Sequence, residues 1–311
     1  MWKYICKRIA VLIPLIFLVS FIVYALMDFA PGDPVMSLVG ENMTEEQLEQ
    51  KREELGFNDP LLVRYGRYMK GVFQGDFGET LYGGKDVLTE YTSRLPYTLK
   101  LAGLAILITI AIAIPLGVIA AVKHTSWIDT IASTTAMMGL SMPGFWLGLM
   151  LMLFFALQLE WLPTSGAEDG FRSYIMPAIT LAVANASLST RTTRSSMLDQ
   201  IRADYLRTAR AKGVNEKTVI LKHALRNALI PIITIIGSQF TVMFSGAVVV
   251  ESVFSWPGVG NLTLTAIRGH DITAATSYAI LTTVLTAVTL LAVDVLYAYI
   301  DPRIKAQYTG K

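Results

Sequence analysis

The chain has 311 residues, of which 53% are hydrophobic and 16% are charged, with a formal net charge of +2. Its mean hydropathy is +0.49. Soluble domains carry about a quarter charged residues, so the composition excludes an ordinary soluble protein and indicates an integral membrane protein. The single cysteine, Cys6, excludes an internal disulfide.

Six segments are long and apolar enough to cross a membrane. A helix needs roughly 20 apolar residues to span a hydrocarbon core of about 30 Å, and lipid-exposed strands or loops would leave backbone groups unpaired. The sequence therefore predicts an all-α integral membrane protein with six transmembrane helices. The weakest is the fourth, which is short and rich in Ser, Thr and Asn. The charge-free runs lie at 9–27, 101–122, 130–159, 173–190, 227–250 and 272–293.

Basic residues are distributed unequally between the two predicted sides. With the N-terminus inside, 16 of the 26 Lys and Arg residues fall in cytoplasmic segments, and the short outer loops 160–172 and 251–271 hold one each. Because basic residues favour the cytoplasmic side, both termini are predicted to be cytoplasmic. The predicted parts are a first transmembrane helix (1–29), an extracytoplasmic helical region (30–98), a five-helix core (99–300) with a cytoplasmic loop (191–226), and a cytoplasmic tail (301–311).

The extracytoplasmic region carries its own helix signals. Thr44 followed by Gln47 forms a capping box that opens a helix, and Gly56 can close that helix. Residues 61–73 place apolar side chains at helical spacing. The region is predicted to be folded, either as a cover on the membrane surface or with a function of its own.

Helix-breaking residues lie within several of the apolar runs. A proline inside a helix frees a carbonyl group and permits a kink. The 130–159 run is too long for one straight crossing and is predicted to divide or bend at Pro143-Gly144. Such breaks can line a transport pathway or serve packing alone, and the sequence leaves both open. The other prolines concerned are Pro14, Pro115, Pro177 and Pro231.

The sequence pattern holds no catalytic or metal-binding set. The three histidines fall in different loops, and with Cys6 they form no ligand pairs at metal spacing. A GGKD segment at 83–86 lacks the Ser or Thr that a phosphate-binding loop requires. The chain is therefore predicted not to be an enzyme, to bind no metal or other cofactor itself, and to bind no nucleic acid.

The spans also lack charged groups for a coupling ion, which ion-coupled transporters place within the membrane. Asp294, at the end of the last run, is predicted to pair with a cytoplasmic Lys or Arg rather than to carry protons. Asn185, Ser238 and Gln239 are candidates for lining a pathway, although hydrogen bonding between helices is the alternative role. A transport protein that has neither a nucleotide site nor a coupling-ion site requires a partner that supplies energy from the cytoplasmic side.

The loop 191–226 carries nine basic and three acidic residues, more than a topology signal requires. Tyr205 to Lys212 favours a helix, and Gly213 is placed to end it. An amphipathic stretch beginning at Val219 then leads into the fifth span at Pro231. The pattern predicts a short surface helix, a glycine turn and a second helix at the membrane face. This geometry can present a helix to a partner and pass its displacement into a span.

"RTARAKG" followed by "HALRNALIP" resembles the cytoplasmic signature of binding-protein-dependent ABC importer permeases. Gly213 and Ala209 match the Gly and the second Ala of that signature. Arg207 and Thr208 stand where Glu and the first Ala are usual, and the signature proline is met only by the later Pro231. These departures resemble the subset that imports peptides and nickel.

Further segments, spread over essentially the whole chain, resemble the first permease subunit of dipeptide and oligopeptide importers. They are "APGDPV" (30–35), "LGFNDPLLVRYGRYMKGVFQGDFGET" (55–80), "RLPYTLKL" (94–101), "VVESVFSWPGVGNL" (249–262) and "DVLYAYIDPRI" (294–304).

The resemblance implies the type I ABC importer permease fold in a prokaryotic plasma or inner membrane, with di- or oligopeptides as substrates. It implies four partners: a homologous second permease, two ABC ATPases that bind ATP and Mg²⁺, and an extracytoplasmic substrate-binding protein. A coupling helix docks on one ATPase in this family. Its implied residues are Tyr205, Leu206, Arg207, Thr208, Ala209, Arg210, Ala211, Lys212 and Gly213.

The aromatic loop before the last span faces outward in the predicted topology. Phe254, Trp256, Pro257 and Gly258 are predicted to contact the docked binding protein or to act as a gate. The alternative is a turn that only seals the ends of the spans.

Three other functions stay open. A permease for nickel or another metal chelate belongs to the same family. An ion-coupled secondary transporter would need an ion site at mid-membrane and would be supported by inverted repeats. A membrane scaffold would need neither broken spans nor a glycine-turned helix at this position.

Overall fold

The computed structural model describes residues 2–32, 35, 44–54 and 56–300, and it is nearly all helical over that part of the chain. The all-α prediction is confirmed. The tail predicted over 301–311 lies outside the described residues. The main helices are α1 (Trp2–Phe29), α2 (Glu45–Glu54), α3 (Leu61–Phe73), α4 (Val87–Val122), α5 (Trp127–Ser141), α6 (Gly144–Leu151), α7 (Phe171–Ile201), α8 (Asp204–Ala211), α9 (Leu225–Val253), α10 (Val259–Arg268) and α11 (Ile272–Ile300).

Two π-helical segments continue from these elements. Met152–Gln158 follows α6, and Val219–Ala224 leads into α9 after the helical turn Glu216–Thr218. π-Helical turns are rare and often accompany functional positions. The amphipathic stretch predicted from Val219 is therefore helical, and it runs without a break into the fifth apolar run.

Among the described residues, four helices are long and apolar enough to cross a membrane by themselves. They cover Ala10–Phe29, Val87–Val122, Glu216–Phe244 and Ile272–Val295. Trp127–Ser141 and Gly144–Gln158 count as a fifth span if taken together, and they are bent by 101° at the break. The predicted bend at Pro143 is confirmed. The count of six spans and the cytoplasmic position of the termini stay predictions.

One compact unit consists of Met1–Thr98 and Pro257–Val288. Its core buries the aromatic rings of Tyr24, Tyr91 and Tyr278, and the last two stack with 6.0 Å between ring centroids. Arg64 of α3 donates a 2.6 Å hydrogen bond to the carboxylate of Asp28 at the end of α1. Within the predicted extracytoplasmic region, α3 is thus tied to α1 by both packing and charge.

The helix signals of this region are confirmed. Thr44 N–H donates to Gln47 Oε1 at 3.1 Å, and Gln47 N–H donates to Thr44 Oγ1 at 3.4 Å, so the capping box forms as predicted. Gly56 follows α2 with φ of 70°, a left-handed conformation that glycine adopts without a steric cost. α3 begins at Leu61, as its apolar spacing predicts.

The second unit consists of Leu99–Trp256 and Thr289–Lys311, and α7 is packed closely within it. Side chains at Gly117 of α4 and Gly139 of α5 would approach atoms of Thr193 and Ser187, respectively, closer than 3.0 Å. Small residues allow membrane helices to approach in this way. α7 is therefore held at close range by α4 and α5.

Candidate coupling site

α8 is a short helix with a stabilising residue at each end. Asp204 lies in its first turn, where a negative charge interacts favourably with the helix dipole. At the other end, Gly213 N–H donates to Arg210 O at 2.9 Å, and Gly213 has φ of 76°. A side chain at Gly213 would meet no atom within 4 Å. The backbone conformation, rather than lack of space, therefore requires glycine here, and the predicted end of the helix is confirmed.

Leu206 anchors α8 to the unit beneath it. Its side chain is 0% exposed and lies in a cluster with residues from α4, α7, the Val219–Ala224 π-helix and α9. Complete burial of a leucine contributes about 1.5–3 kcal/mol. The cluster around it consists of Val118, Ala121, Met197, Val219, Ile220, Ala224, Ala228, Ile232 and Ile236.

Hydrogen bonds hold α8 from the sides. Tyr205 Oη donates to Gln200 Oε1 at 2.9 Å and accepts from Asn227 Nδ2 at 2.9 Å, so it connects α7 to α9. Arg210 donates from Nε and Nη2 to the carboxylate of Glu216 at 3.1 and 2.9 Å. These bonds raise the pKa of Arg210 further. The helix is thus fixed to the elements that precede and follow it.

The opposite face of α8 is open. Arg207 has 77% of its side chain exposed and forms a 3.5 Å ion pair with Asp204, whose side chain is 93% exposed. Thr208, Ala211, Lys212 and Gly213 are exposed as well. Small and basic residues on a rigid face permit close approach and attract acidic groups. The arrangement can hold a partner protein and move with it.

Two aromatic side chains of the loop before the last span are buried. Phe254 and Trp256 are 1% and 0% exposed. Trp256 packs edge-on against Tyr174 with 4.5 Å between ring centroids, and Gly166 N–H donates to Phe254 O. Both rings are therefore packed inside the second unit. Their predicted role, as a contact for the binding protein or as a gate, stays a prediction.

Pro257 and Gly258 are half-buried and buried, respectively, in the first unit. Gly258 precedes α10, whose first N–H, that of Val259, donates to Thr98 Oγ1 at 2.9 Å. Their predicted role toward a binding protein stays a prediction.

The three polar pathway candidates lie on α7 and α9. Gln239 is 5% exposed, accepts from Ser189 Oγ at 2.7 Å and donates to Asn185 O at 3.1 Å. Asn185 and Ser238 donate to carbonyl groups of their own helices. Gln239 therefore bonds α7 to α9, which matches the interhelical alternative for this residue. The pathway role of all three, and the pairing of Asp294, stay predictions.

Sequence reasoning missed an ion pair between Asp129 and Arg194. Arg194 Nε and Nη2 donate to the two carboxylate oxygens of Asp129 at 2.5 and 2.8 Å. Asp129 was visible only as the border of an apolar run. Its position three residues after Ser126, whose Oγ accepts from Asp129 N–H, is the local signal for an acidic residue in a first helical turn.

The described residues thus combine helices that are long and apolar enough to cross a membrane with an anchored, glycine-ended helix whose exposed face carries basic residues. The combination is typical of a membrane permease that binds another protein.

Comparison with known families specifies the class. A model described as "Binding-protein-dependent transport system inner membrane component" matches residues 113–306, and the model of the corresponding N-terminal region matches residues 1–102. The chain belongs to this family of binding-protein-dependent inner membrane components, and it is a permease subunit of an ABC importer of the inner membrane.

Two curated relatives extend over nearly the whole chain. The glutathione transport system permease protein GsiC of Salmonella paratyphi A is 40% identical over 305 residues, which cover 98% of this chain and 99% of the relative. GsiC of Escherichia coli K12 is 39% identical over the same shares. The resemblance to ABC importer permeases of the peptide type is confirmed.

Solved structures share the fold at low sequence identity. The inward-facing MetNI methionine ABC transporter matches with a TM-score of 0.60 and 16% identity, covering 69% of this chain and 97% of that chain. An amino acid ABC transporter solved with histidines matches with a TM-score of 0.53 and 17% identity, covering 68% and 94%. The fold is that of ABC importer permeases.

Proposed function

We propose that this chain forms half of the translocation pathway of an ATP-driven importer for short peptides, and that α8 with Gly213 couples it to a cytoplasmic ATPase. The partners are a homologous second permease, two ATPases that bind ATP and Mg²⁺, and an extracytoplasmic binding protein. The chain itself hydrolyses no ATP.

The geometry of α8 is the observation that carries the coupling role. One side of the helix is fixed through Leu206, while Arg207, Thr208 and Lys212 are exposed on the other. A partner that binds the exposed side displaces a rigid body, because moving α8 alone would expose Leu206 to water. The displacement therefore reaches α7 and α9, which flank the same cluster.

ATP-driven switching requires that the partner bind the two conformations with different affinity. A helix whose exposed face is small and basic meets that requirement if ATP-bound and ATP-free ATPases offer it differently shaped acidic clefts. The energy then comes from the ATPase, which agrees with the absence of charged residues from the apolar runs of the sequence.

The peptide substrate is supported by the relatives. GsiC is named for glutathione transport and is 39–40% identical to this chain over 305 residues. Glutathione is a tripeptide, so short peptides are the substrate class that this similarity favours over metal chelates.

Reconstituted complexes in nanodiscs test the coupling role through ATP hydrolysis, with and without loaded binding protein. Gly213→Pro should abolish stimulation, since proline cannot adopt φ of 76° and lacks the N–H that bonds Arg210 O. Gly75→Pro is the matched control, because Gly75 has φ of 85° and open space around it in the extracytoplasmic region. Stimulated hydrolysis that survives Gly213→Pro would contradict the coupling role.

Charge reversal tests the exposed face. Arg207→Glu and Lys212→Glu should weaken assembly with the ATPases, whereas Lys217→Glu, an exposed residue of the same loop outside α8, should not. Equal effects of all three would mean that only net charge matters.

Transport into proteoliposomes decides the substrate. Labelled glutathione, a dipeptide, a pentapeptide and a nickel–histidine chelate are compared under ATP. Uptake of the chelate alone would replace the peptide proposal with the metal-chelate alternative.

A further inference from the structure

The ion pair of Asp129 and Arg194 joins α5 to α7. Two parallel hydrogen bonds of 2.5 and 2.8 Å connect the planar guanidinium to the planar carboxylate. Such a fork fixes both orientation and distance. The side chains are 7% exposed for Asp129 and 28% for Arg194, so water screens this pair far less than it screens the exposed pairs of the surface helices.

The carboxylate of Asp129 is also held by residues close to it in the chain. Its carboxylate accepts from Thr125 N–H at 3.0 Å and from Ser133 Oγ at 3.4 Å, and His124 Nδ1 lies 3.7 Å away. These partners belong to the turn between α4 and α5 and to α5 itself. Arg194 therefore does not hold a mobile side chain; it holds the α4–α5 turn and the beginning of α5.

Arg194 lies close to the base of the coupling helix. It precedes by one turn Met197, which is 0% exposed and packs in the cluster that surrounds Leu206. Val118 and Ala121 at the end of α4 belong to the same cluster. The neighbouring Thr193 lies against Gly117 of α4, where a side chain would come closer than 3.0 Å. A push on α8 thus reaches the part of α7 that carries Arg194.

We propose that Asp129 and Arg194 are positioning residues for coupling, and that their ion pair makes α5 move together with α7 when the ATPases displace α8. This proposal rests on the proposed coupling role of α8. Without the pair, α7 would still receive the displacement, but α5 would be held to it through packing at Gly139 and Ser187 without the charged link near its beginning, and α5 and the bent segment that follows it would not follow in register.

The exposed ion pairs elsewhere have no such role. Lys51 and Glu54 are joined by a 2.8 Å pair on the surface of α2, with 41% and 53% of their side chains exposed. Exposed pairs of this kind hold side chains only weakly, since both charges stay solvated. Removing one partner of a partly buried, multiply bonded pair instead breaks two hydrogen bonds and leaves the other charge without its partner, and the two helices lose their fixed spacing.

The first test compares stimulated and basal ATP hydrolysis in the full complex. Asp129→Asn and Arg194→Gln remove one charge each, Arg194→Lys keeps the charge without the fork, and Arg191→Gln is the control on an exposed residue of the same helix. We expect the ratio of stimulated to basal hydrolysis, with binding protein loaded with glutathione, to fall about fivefold or more for the first two variants. The Lys variant should be intermediate and the control unchanged.

The double variant Asp129→Asn/Arg194→Gln measures whether the two residues act as one unit. We expect its ratio of stimulated to basal hydrolysis to be no lower than that of either single variant, because each single change already breaks the ion pair between α5 and α7. If the variants lower only the thermal stability and the ratio in assembled complexes stays at the native value, the pair is merely structural and the proposal is wrong.

The second test measures distances directly. Cys6 is the single cysteine of the chain, so Cys6→Ser provides a clean background for spin labels at Thr130 on α5 and Asp199 on α7, both exposed. The distance between the labels should be the same without nucleotide and with ATP plus vanadate, and should change with nucleotide in Arg194→Gln. The proposal is wrong if the distance between the labels changes with nucleotide in the native protein. It is also wrong if the distance does not change with nucleotide in Arg194→Gln.

The two proposals can fail separately. If Gly213→Pro leaves stimulation intact, the coupling role of α8 fails. If Gly213→Pro abolishes stimulation while Arg194→Gln does not, the coupling role of α8 is supported and only the proposed role of the Asp129–Arg194 pair is wrong.

Discussion

Helix α8, for which the coupling role is proposed, and helix α2 of the 30–98 region are both short and polar, yet they are held in different ways. They have 8 and 10 residues and carry acidic residues in their first turns. Both are followed by a left-handed glycine, Gly213 with φ of 76° and Gly56 with φ of 70°. α8 buries Leu206 completely, whereas α2 buries none of its residues.

Helices of this length are marginal in water by themselves, so the difference decides what each can transmit. Opening α8 exposes a leucine and breaks into a core shared by four other elements. Unfolding α2 breaks a capping box and exposed ion pairs, which contribute little to its stability. A helix that must carry force needs the first arrangement, and a helix that only covers a surface can have the second.

The largest expected difference between the two helices comes from their leucines. Leu206→Ala should destabilise the second unit by about 2–5 kcal/mol, because it leaves a cavity in a filled cluster. Leu48→Ala in α2 is the matched control and should cost less than about 1 kcal/mol, since Leu48 is only half-buried. Hydrogen exchange of the α8 and α2 amides in nanodiscs measures both. Equal loss of protection in the two helices would remove the distinction drawn here.

The next largest effects are expected at the glycines that follow the two helices, Gly213 and Gly56. An L-residue in the left-handed region costs about 1–2 kcal/mol, so Gly213→Ala should fray the end of α8 by roughly that amount. Gly213→Asn should be milder, because asparagine tolerates this conformation. At Gly56 a side chain would also displace Arg67 Nη1, 2.7 Å away, so Gly56→Ala should additionally disturb the salt bridge between Arg67 and Asp59. If Asn and Ala behave alike at 213, the conformational argument fails.

Caps should matter more for α2 than for the segment after α8. Thr44→Ala removes half of the capping box and should cost about 1 kcal/mol, which is a large share of the stability of an unanchored helix. Asn215→Ala removes the bond from Lys217 N–H, but the following helix is held by tertiary packing. Trypsin cleavage at Lys51 and Arg52 should accelerate in the first variant, while cleavage at Lys217 should stay slow in the second.

The smallest effects are expected from exposed ion pairs. Lys51→Gln should change stability by less than about 0.5 kcal/mol. Arg210→Gln should have a somewhat larger effect, because two hydrogen bonds join Arg210 to Glu216. Thermal unfolding at low and at 1 M salt checks both. A difference between the variants that persists at high salt would point to packing instead of charge, since about 1 M salt screens beyond about 3 Å.

Local signals in the sequence were sufficient for much of the fold. The capping box at Thr44, the helix end at Gly213 and the bend at Pro143 each depend on a few neighbouring residues, and each is found as predicted. The apolar runs lie in helices, and some of these helices extend beyond the runs. α4 begins at Val87 and continues through Arg94 and Lys100, because charged residues end an apolar run without ending a helix.

Features that depend on tertiary contact were out of reach. The pair of Asp129 and Arg194 lies 65 positions apart in the chain, and no local pattern connects its members. Trp256 follows a span end and has the composition of an exposed loop, yet Tyr174 covers it. The π-helix at Met152–Gln158 leaves no sign in hydropathy. Long-range packing decides each of these positions.

The polar helix α7 also constrains how the protein is made. Thr180, Ser187 and Thr190 each donate to the carbonyl four residues earlier, at 2.7–2.8 Å, so the helix itself satisfies these three hydroxyls but remains poorly apolar. If α7 crosses the bilayer, as the sequence predicts, it lacks the hydrophobicity to partition into lipid alone. Its insertion then depends on α4 and α5 already being in place to receive it through Gly117 and Gly139. The order of synthesis, with those helices first, is thus part of what makes this sequence foldable.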